Sequence, residues 1–262
     1  MELQKQKIKR IKKFAQYFLT NEEILNLEAE LLDPKEKEVL EIGAGDGRLS
    51  EKILQHQPKK LILVEIDKRF CFELKKKFSN LKNVEVLNQD FLDLKIKRID
   101  IITGNAPYNI SSLIILKLRE IKFDYALLLL QKEFVDRLIA QPSTSNYGRL
   151  SAMAEAYFNV EPLKIVKKEN FFPIPKVDSQ FVKIIRKKNP SLEKNFEKIS
   201  AALFSHRLAS VKNALFHSRK IFGWKKEEAK EIIKKLKNRE KKVFMLSWQE
   251  INEIAKIIRE KQ

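Results

Sequence analysis

A short polar segment, Asn105-Ala106-Pro107-Tyr108, directly follows an apolar run and contains groups that could act on an exocyclic amine. Such an amine is a poor nucleophile because its lone pair is delocalised into the aromatic ring. The Asn105 side-chain oxygen and a backbone carbonyl at Ala106 or Pro107 could accept its two hydrogens, turn the lone pair toward an electrophile and stabilise the growing positive charge. Tyr108 offers a ring face for a purine. The segment therefore indicates methylation of an adenine-type amine, although alone it also fits a turn with a buried tyrosine.

Three of the six glycines, Gly43, Gly45 and Gly47, lie in Glu41–Gly47, between a predicted strand and a predicted helix. Glycines at such a place allow a tight turn and let backbone N–H groups approach a ligand closely. The spacing is G-x-G-x-G, and Arg48 stands where a dinucleotide-binding loop requires glycine. This pattern weakens a simple NAD interpretation.

Two carboxylates end the next two predicted strands. Glu65 could accept hydrogen bonds from both hydroxyls of a ribose, and Asp90 could recognise the amine and ring nitrogens of an adenine. Since ligands bind outside the carboxyl ends of parallel strands, we expect the glycines and both acids to line one pocket for an adenosine-containing cofactor. Each acid, considered singly, also fits a helix N-cap or a solvated strand end.

Short apolar runs alternate with amphipathic stretches from about residue 39 to 186, which is typical of a sheet built from β–α units. Helices are predicted at Arg48–Gln55 and Lys68–Phe78. We expect an α/β fold, Rossmann-like and doubly wound, with a mostly parallel sheet and an antiparallel edge hairpin. The predicted strands are Val39–Ile42, Leu61–Ile66, Val84–Leu87, Ile99–Thr103, Tyr125–Leu130, Glu161–Val166 and Phe181–Arg186.

A boundary is predicted at Asn189-Pro190-Ser191, because proline and its predecessor resist continuing a helix or strand. Beyond it, one apolar stripe keeps helical spacing at Ile251, Ile254, Ala255 and Ile258. We therefore predict a first domain over residues 1–188, with a basic N-terminal arm, and a small C-terminal all-α domain over 189–262.

The chain has 262 residues, with 53 Lys and Arg against 35 Asp and Glu, a net charge of +18. This excess fits a nucleic-acid partner, or alternatively a solvated surface rich in Lys and Glu. One cysteine and three histidines argue against a disulfide framework and a metal centre. Because no apolar run could span a bilayer or serve as a signal core, we expect a cytoplasmic protein without membrane contact.

Together these motifs resemble the small-subunit ribosomal RNA adenine dimethyltransferases, which use S-adenosylmethionine to modify two adjacent adenines near the 3′ end of the rRNA. The resemblance implies S-adenosylmethionine as cofactor, S-adenosylhomocysteine as product, no metal, and small-subunit rRNA or its precursor particle as partner. We also expect a monomer. The matching segments occur in family order: Lys13–Leu19, Glu41–Gly47, Val64–Asp67, Gln89–Phe91, Asn105–Ser112, Gln131–Leu138, Tyr147–Ser151 and Pro173–Ser179.

The resemblance also assigns residues to roles. Tyr108 and Phe171 would flank the target base, with Phe172 as the alternative to Phe171. The expected cofactor contacts are Gln16, Tyr17, Leu19, Gly43, Gly45, Gly47, Glu65, Ile66, Asp90, Phe91 and Asn105. The expected RNA contacts are Lys9, Arg10, Lys12, Lys13, Arg149, Lys176, Arg207 and Lys212.

The sequence departs from the family pattern at a few positions. Ala15 and Tyr17 stand where Gly and Asn or His are usual, and Ala106 replaces a common Leu or Pro. Leu208 and Ala209 thin the expected cation cluster of the helical domain.

Three other functions remain open. A sister family dimethylates an adenine of large-subunit rRNA and confers antibiotic resistance, and it shares the cofactor pocket; Tyr147–Ser151 and Lys176–Ser179 favour the small-subunit enzyme. A DNA adenine methyltransferase fits less well. A non-catalytic ribosome-assembly or transcription factor could keep the same fold, but intact Asn105, Pro107 and Tyr108 argue against it.

Overall fold

A computed structural model describes residues 17–105, 107–188 and 191–259. They divide into two compact units. The first contains the described residues up to Val135 together with Glu161–Arg186, and the second contains Asp136–Val160 and the described residues from Lys187 onward. The division into domains 1–188 and 189–262 stays a prediction, since Asp136–Val160 groups with the second unit.

Nine strands and ten α-helices are assigned within the described ranges. The strands are β1 (Phe18–Leu19), β2 (Glu38–Ile42), β3 (Lys60–Glu65), β4 (Val84–Asn88), β5 (Ile101–Gly104), β6 (Tyr125–Gln131), β7 (Phe158–Val166), β8 (Phe171–Phe172) and β9 (Ser179–Arg186). The helices are α1 (Glu22–Leu32), α2 (Arg48–Gln55), α3 (Lys68–Lys77), α4 (Ser111–Leu118), α5 (Lys132–Leu138), α6 (Arg149–Tyr157), α7 (Phe196–Phe204), α8 (Val211–His217), α9 (Lys226–Lys234) and α10 (Trp248–Arg259).

Seven strands form one sheet in the order β4-β3-β2-β5-β6-β9-β7. The neighbouring pairs among β2 to β6 are parallel, and β9 runs antiparallel to β6. The predicted fold class is therefore confirmed, including antiparallel pairing near the edge of the sheet that β9 and β7 form. The seven predicted strands all form, and α2 has the predicted bounds.

The central strands are buried on both faces, which explains their nearly continuous apolar sequence. In β6, all residues from Ala126 to Leu130 are buried. The register places Ile42 of β2 opposite Val64 of β3, and Glu41 opposite Thr103 of β5. The carboxyl ends of these strands are consequently level, and the residues that follow them share one edge of the sheet.

A second, two-stranded sheet was not predicted. Phe18 pairs with Phe172 and Leu19 with Phe171 in antiparallel β1 and β8. Each strand has two residues, which is too short to show a period in the sequence. Its effect is to bring the segment before α1 and the segment after β7 together.

Helix α1 buries the stripe Leu25, Glu28, Ala29 and Leu32. The Asn21 side chain caps its first turn by accepting hydrogen bonds from the backbone of Glu23 and Ile24. The spacing of the stripe is that of an apolar helix face, so a glutamate at its second position is anomalous.

The second unit is built from α6 to α10. The predicted stripe at Ile251, Ile254, Ala255 and Ile258 is buried in α10, as expected. In the described part of the chain, no helix combines the length and apolar character needed to cross a membrane.

Gly104 ends β5 and immediately precedes Asn105. A Cβ atom at Gly104 would lie 2.5 Å from the backbone oxygen of Ile42 and 3.1 Å from its backbone nitrogen. The two central strands therefore approach each other here more closely than a side chain permits, and this contact fixes where the chain leaves the sheet.

We predict that Gly104→Ala lowers the free energy of unfolding by about 3 kcal/mol, the upper end for an overpacked core, since the clash is with backbone. Urea denaturation measures the change. The matched control is Gly148→Ala, because a Cβ there meets nothing within 4 Å. An effect at Gly104 no larger than that of the control would contradict the prediction.

Candidate active site

A pocket opens at the carboxyl edge of the parallel strands, within the first unit. Most of the predicted cofactor and base contacts line it. They are Tyr17, Leu19, Gly43, Gly45, Glu65, Ile66, Asp90, Phe91, Asn105, Pro107, Tyr108 and Phe171. Gln16 and Ala106 lie outside the described residues.

Gly47 is not part of the pocket lining. A Cβ atom there would lie 2.7 Å from the Cδ2 atom of Leu74 and 3.2 Å from the ring of Phe78. This glycine therefore lets the loop pack against α3 and the residue that follows it, a role that the sequence pattern did not indicate. Its cofactor contact stays a prediction.

Glu65 holds the glycine loop. Its Oε2 atom accepts a hydrogen bond from the Gly45 N–H at 2.9 Å, and Oε1 accepts one from the Asp67 N–H at 2.8 Å. Burial raises the pKa of Glu65, and these two backbone hydrogen bonds partly offset the rise. Each carboxylate oxygen has a second lone pair, so Glu65 can still accept from the two hydroxyls of a ribose.

Phe18 packs against the glycine loop, a contact that the sequence did not reveal. The φ of Gly45 is +55°, and a Cβ there would lie 3.1 Å from the Phe18 ring. The Arg48 guanidinium lies 5.9 Å from the centroid of the same ring, and its Nη1 donates to the Leu19 carbonyl at 3.1 Å. The segment before α1 is thereby held over the loop.

Asp90 and Ile66 form the opposite part of the pocket. The Asp90 carboxylate accepts the Leu92 N–H at 2.9 Å and caps the short 3-10 helix Phe91–Asp93. Ile66 is exposed, and the Phe91 side chain is buried. The N-cap interpretation of Asp90 is thus correct, and it is compatible with contact to a ligand because the residue also lines the pocket.

Asn105 follows β5 and is held by Glu28, a residue that the sequence analysis missed. Asn105 Nδ2 donates to Glu28 Oε2 at 3.0 Å. Asn105 Oδ1 is buried and has no hydrogen-bond partner within the described part of the chain. Burial raises the pKa of Glu28 to about 8, and the bond from Asn105 opposes the rise. The feature of the sequence that could have identified Glu28 is the occurrence of a glutamate within the apolar stripe of α1.

The turn after Asn105 is closed by its own backbone. The Pro107 carbonyl accepts the Ile110 N–H at 3.2 Å, and Ser111 Oγ donates to the Tyr108 carbonyl at 3.1 Å. The Pro107 oxygen accepts one hydrogen bond and keeps a second lone pair, so Ala106 or Pro107 could supply the backbone acceptor for a substrate amine. That assignment stays a prediction.

Tyr108 presents its ring to the pocket while its hydroxyl is anchored. The hydroxyl shares a 2.7 Å hydrogen bond with Ser179 Oγ, and burial raises the pKa of Tyr108. The Tyr17 ring stacks on it, with centroids 5.5 Å apart and planes inclined by 22°. The two rings contact each other directly, so no third ring fits between them in this conformation.

The two candidate phenylalanines differ in placement. Phe171 is only 4% exposed, belongs to the hydrophobic core and also lines the pocket, whereas Phe172 is 69% exposed and is not part of the lining. Pairing of β8 with β1 sets this alternation, because neighbouring side chains of a strand point to opposite faces. Contact of Phe171 with a target base stays a prediction.

The predicted RNA-binding cations fall into four groups. Lys9, Arg10, Lys12 and Lys13 lie outside the described residues, and Arg149 and Lys176 are exposed. Lys212 pairs with Glu240 at 2.5 Å. The Arg207 guanidinium instead donates to the carbonyls of Tyr147 and Ser145 at 2.8 and 2.7 Å. Arg207 therefore has a structural role in the second unit, and RNA contact by these cations stays a prediction.

A second buried acid, Glu41 of β2, lies beneath the glycine loop. Ser50 Oγ donates to Glu41 Oε2 at 2.6 Å. Burial raises the pKa of Glu41 to about 8, and the negative charge of Glu28 adds to the rise. Among the residues described, no cluster of three or more His, Cys, Asp or Glu side chains could hold a metal ion.

Comparison with known proteins identifies relatives over nearly the whole chain. The family model "Ribosomal RNA adenine dimethylase" matches residues 7–258. A probable ribosomal RNA small subunit methyltransferase A of Thermococcus sibiricus is 35% identical over 249 residues, covering 93% of this chain and 90% of the relative. The ribosomal RNA small subunit methyltransferase A of Pelagibacter ubique is 37% identical over 217 residues, covering 78% and 82%.

Two solved structures are similar. A dimethyladenosine transferase from Plasmodium falciparum has a TM-score of 0.79 and 28% sequence identity, covering 93% of this chain and 98% of that one. The 23S rRNA methyltransferase ErmE has a TM-score of 0.64 and 24% identity, covering 92% and 99%. The second likeness concerns the fold alone.

The buried acids generate a prediction for stability. Their pKa of about 8 when folded exceeds the ordinary value of 4.5, so the native state holds more protons than the unfolded state between these pH values. The contribution of each acid to the free energy of unfolding is therefore fully present below pH 4.5. It is lost as the pH rises toward 8, by about 1.4 kcal/mol per pH unit for each acid.

We predict that Glu41→Gln removes one of these contributions. The unfolding free energy of the variant relative to wild type should increase steadily from pH 5 to 8 in urea denaturation at fixed salt. Glu30→Gln, an exposed change on α1, is the control and should show no such trend. A Glu41→Gln difference that is constant across this range would contradict the assigned pKa.

Proposed function

The chain belongs to the ribosomal RNA adenine dimethylase family, and we propose that it dimethylates the N6 amines of two adjacent adenines near the 3′ end of small-subunit rRNA. The observation that carries this proposal is Asn105, which lines the glycine-loop pocket and whose buried amide oxygen has no hydrogen-bond partner among the residues that the structure describes. That oxygen is the acceptor that an adenine amine requires.

The residues of the pocket fit S-adenosylmethionine, which when bound supplies an electrophilic methyl group on a cationic sulfur. Glu65 is placed to accept from the ribose hydroxyls, and the side chains of Ile66 and Phe91 offer apolar contact to the adenine ring. Asp90 stands beside them to accept from the ring's amine. A cationic ligand would favour the ionised form of the buried acids Glu41 and Glu65 and so oppose the rise that burial causes in their pKa values.

The chemistry required of the protein is orientation. Asn105 Oδ1 accepts one N6 hydrogen and a neighbouring backbone carbonyl accepts the other, so the lone pair leaves conjugation and points toward the methyl donor. Tyr108 supports the base through its ring face. A strong general base is unnecessary, because the methylated ammonium loses its proton readily.

The target base must leave its stack to reach such a pocket. In the described conformation Tyr17 covers one face of Tyr108. We infer that the Tyr17 ring moves aside or exchanges its contact with Tyr108 for one with the incoming adenine. The unusual tyrosine at this position thereby acts at the entrance of the acceptor site.

The large-subunit alternative is less well supported. The relatives with substantial identity are named small subunit methyltransferases, whereas the likeness to the 23S rRNA enzyme is one of fold. The intact Asn105, Pro107 and Tyr108 likewise favour an enzyme over a non-catalytic assembly factor.

We predict that Asn105→Ala lowers kcat by at least about 100-fold, since it removes an acceptor used in the transition state, and that rRNA affinity is retained. Transfer of labelled methyl groups to small subunits and a filter-binding assay measure the two quantities. Asn26→Ala, an exposed change on α1, is the control. Wild-type turnover in Asn105→Ala would remove this mechanism.

Substrate choice is tested with isolated small and large ribosomal subunits that lack the modification. After incubation with the protein and S-adenosylmethionine, we expect dimethyladenosine at two adjacent positions near the 3′ end of the small-subunit rRNA. Modification confined to the large subunit would establish the alternative instead.

A further inference from the structure

Glu28 has an acidic side chain in an apolar environment that provides few hydrogen-bond partners. It is 0% exposed and occupies the buried stripe of α1 between Leu25 and Leu32. Burying a carboxyl group without full hydrogen bonding opposes folding, so this residue is not explained by stability. It is also absent from the pocket lining, which means that it does not meet a ligand directly.

The hydrogen bonds of Glu28 identify its partner. Its Oε2 atom accepts from Asn105 Nδ2 at 3.0 Å, and its Oε1 atom has no hydrogen-bond partner within residues 17–105, 107–188 and 191–259. The negative charge of Glu28 raises the pKa of a second buried acid, Glu41 on β2. Glu41 itself accepts a hydrogen bond from Ser50. The hydrogen bond from the Asn105 side chain thus links Glu28 to the site.

An asparagine amide has two orientations of nearly identical shape, with the oxygen and nitrogen exchanged. Only one of them presents an oxygen to a substrate amine; the other presents an NH2 group, which would repel it. Above its pKa of about 8, Glu28 is a carboxylate that can only accept hydrogen bonds, so it selects the orientation in which Nδ2 faces it. The opposite amide atom, Oδ1, is then the one left for the substrate. Below that pH Glu28 is a carboxylic acid, whose hydroxyl could also donate to Oδ1.

We propose that Glu28 is a positioning residue that locks the Asn105 amide with its oxygen available to the substrate N6 amine, an inference that rests on the proposed function. Once Glu28 is ionised, its negative charge behind the amide also polarises it, which strengthens Oδ1 as an acceptor when positive charge grows on N6. Glu28 acts through Asn105 and does not touch the reacting atoms.

Replacing Glu28 with glutamine tests the lock with almost no change of shape. The new amide can turn its NH2 group toward Asn105 Oδ1 and hold the wrong orientation. At pH 9, where Glu28 is ionised in wild type, we expect Glu28→Gln to lower kcat by about 10-fold, less than the loss of the Asn105 amide itself, while KM for rRNA and Kd for S-adenosylmethionine stay within about 2-fold. The urea midpoint should not fall. Glu30→Gln, the same change of charge on the same helix, should match wild type.

These kinetics separate a positioning role from a structural one. Equal kcat in Glu28→Gln and wild type would overturn the proposal. A parallel loss of kcat, cofactor affinity and urea midpoint would also overturn it, because the residue would then support the fold alone. Absence of methylation by wild type would count against the proposed function instead.

A second measurement does not depend on activity. In protein labelled with 15N-asparagine, the side-chain signals of Asn105, assigned by their loss in Asn105→Ala, should shift with pH around a midpoint near 8 as Glu28 ionises. Since Glu41 titrates in the same range, the shift should persist in Glu41→Gln and vanish in Glu28→Gln. A shift that persists in Glu28→Gln, or signals insensitive to pH, would overturn the proposal.

Discussion

The site depends on one amide oxygen, Asn105 Oδ1, which lies at the carboxyl edge of a parallel sheet and has no hydrogen-bond partner in the described ranges of the chain. The level ends of β2, β3 and β5 bring the glycine loop, Glu65 and Asn105 to the same edge. Close approach of Gly104 to Ile42 fixes where β5 releases the chain, and Glu28 holds the amide that follows. In the proposed reaction, an exocyclic amine donates both of its hydrogens in hydrogen bonds so that its lone pair can react. The position and orientation of this one oxygen therefore decide whether the pocket can support methylation.

The net charge of the chain differs in sign from the acidic groups that are buried beside the pocket. The chain as a whole carries +18, which attracts a phosphate backbone at long range. The interior beside the pocket instead contains acidic side chains, since Glu28, Glu41 and Glu65 are all buried there. Burial raises the pKa of each, which is a cost to folding at neutral pH. When ionised, the same groups would favour a cationic methyl donor and a developing ammonium, so their cost in stability is matched by complementarity to charge in the proposed reaction.

The sequence was sufficient for the architecture and for most of the pocket, and it failed where contacts are long-range. Continuous apolar runs identified the buried strands, and polar residues at strand ends identified Glu65, Asp90 and Asn105, because parallel topology forces such residues together. Glu28 was missed because its partner, Asn105, follows β5 and lies 77 positions away in the sequence, so no local pattern links the two residues. The β1–β8 pairing escaped because two-residue strands have no period. The ligand contacts of Gly47 and Arg207 stay predictions from motif position. Their surroundings, which include α3 side chains for Gly47 and backbone carbonyls for Arg207, depend on packing that a motif does not encode.

The most direct test of the account is a crystal structure of the protein with S-adenosylhomocysteine and an adenine-containing RNA fragment. We predict that the N6 atom of the target adenine lies within hydrogen-bond distance of Asn105 Oδ1, with Asn105 Nδ2 still bonded to Glu28 and the base against Tyr108. A base amine bound elsewhere in the pocket, or an Asn105 side chain that meets it through Nδ2, would contradict the account.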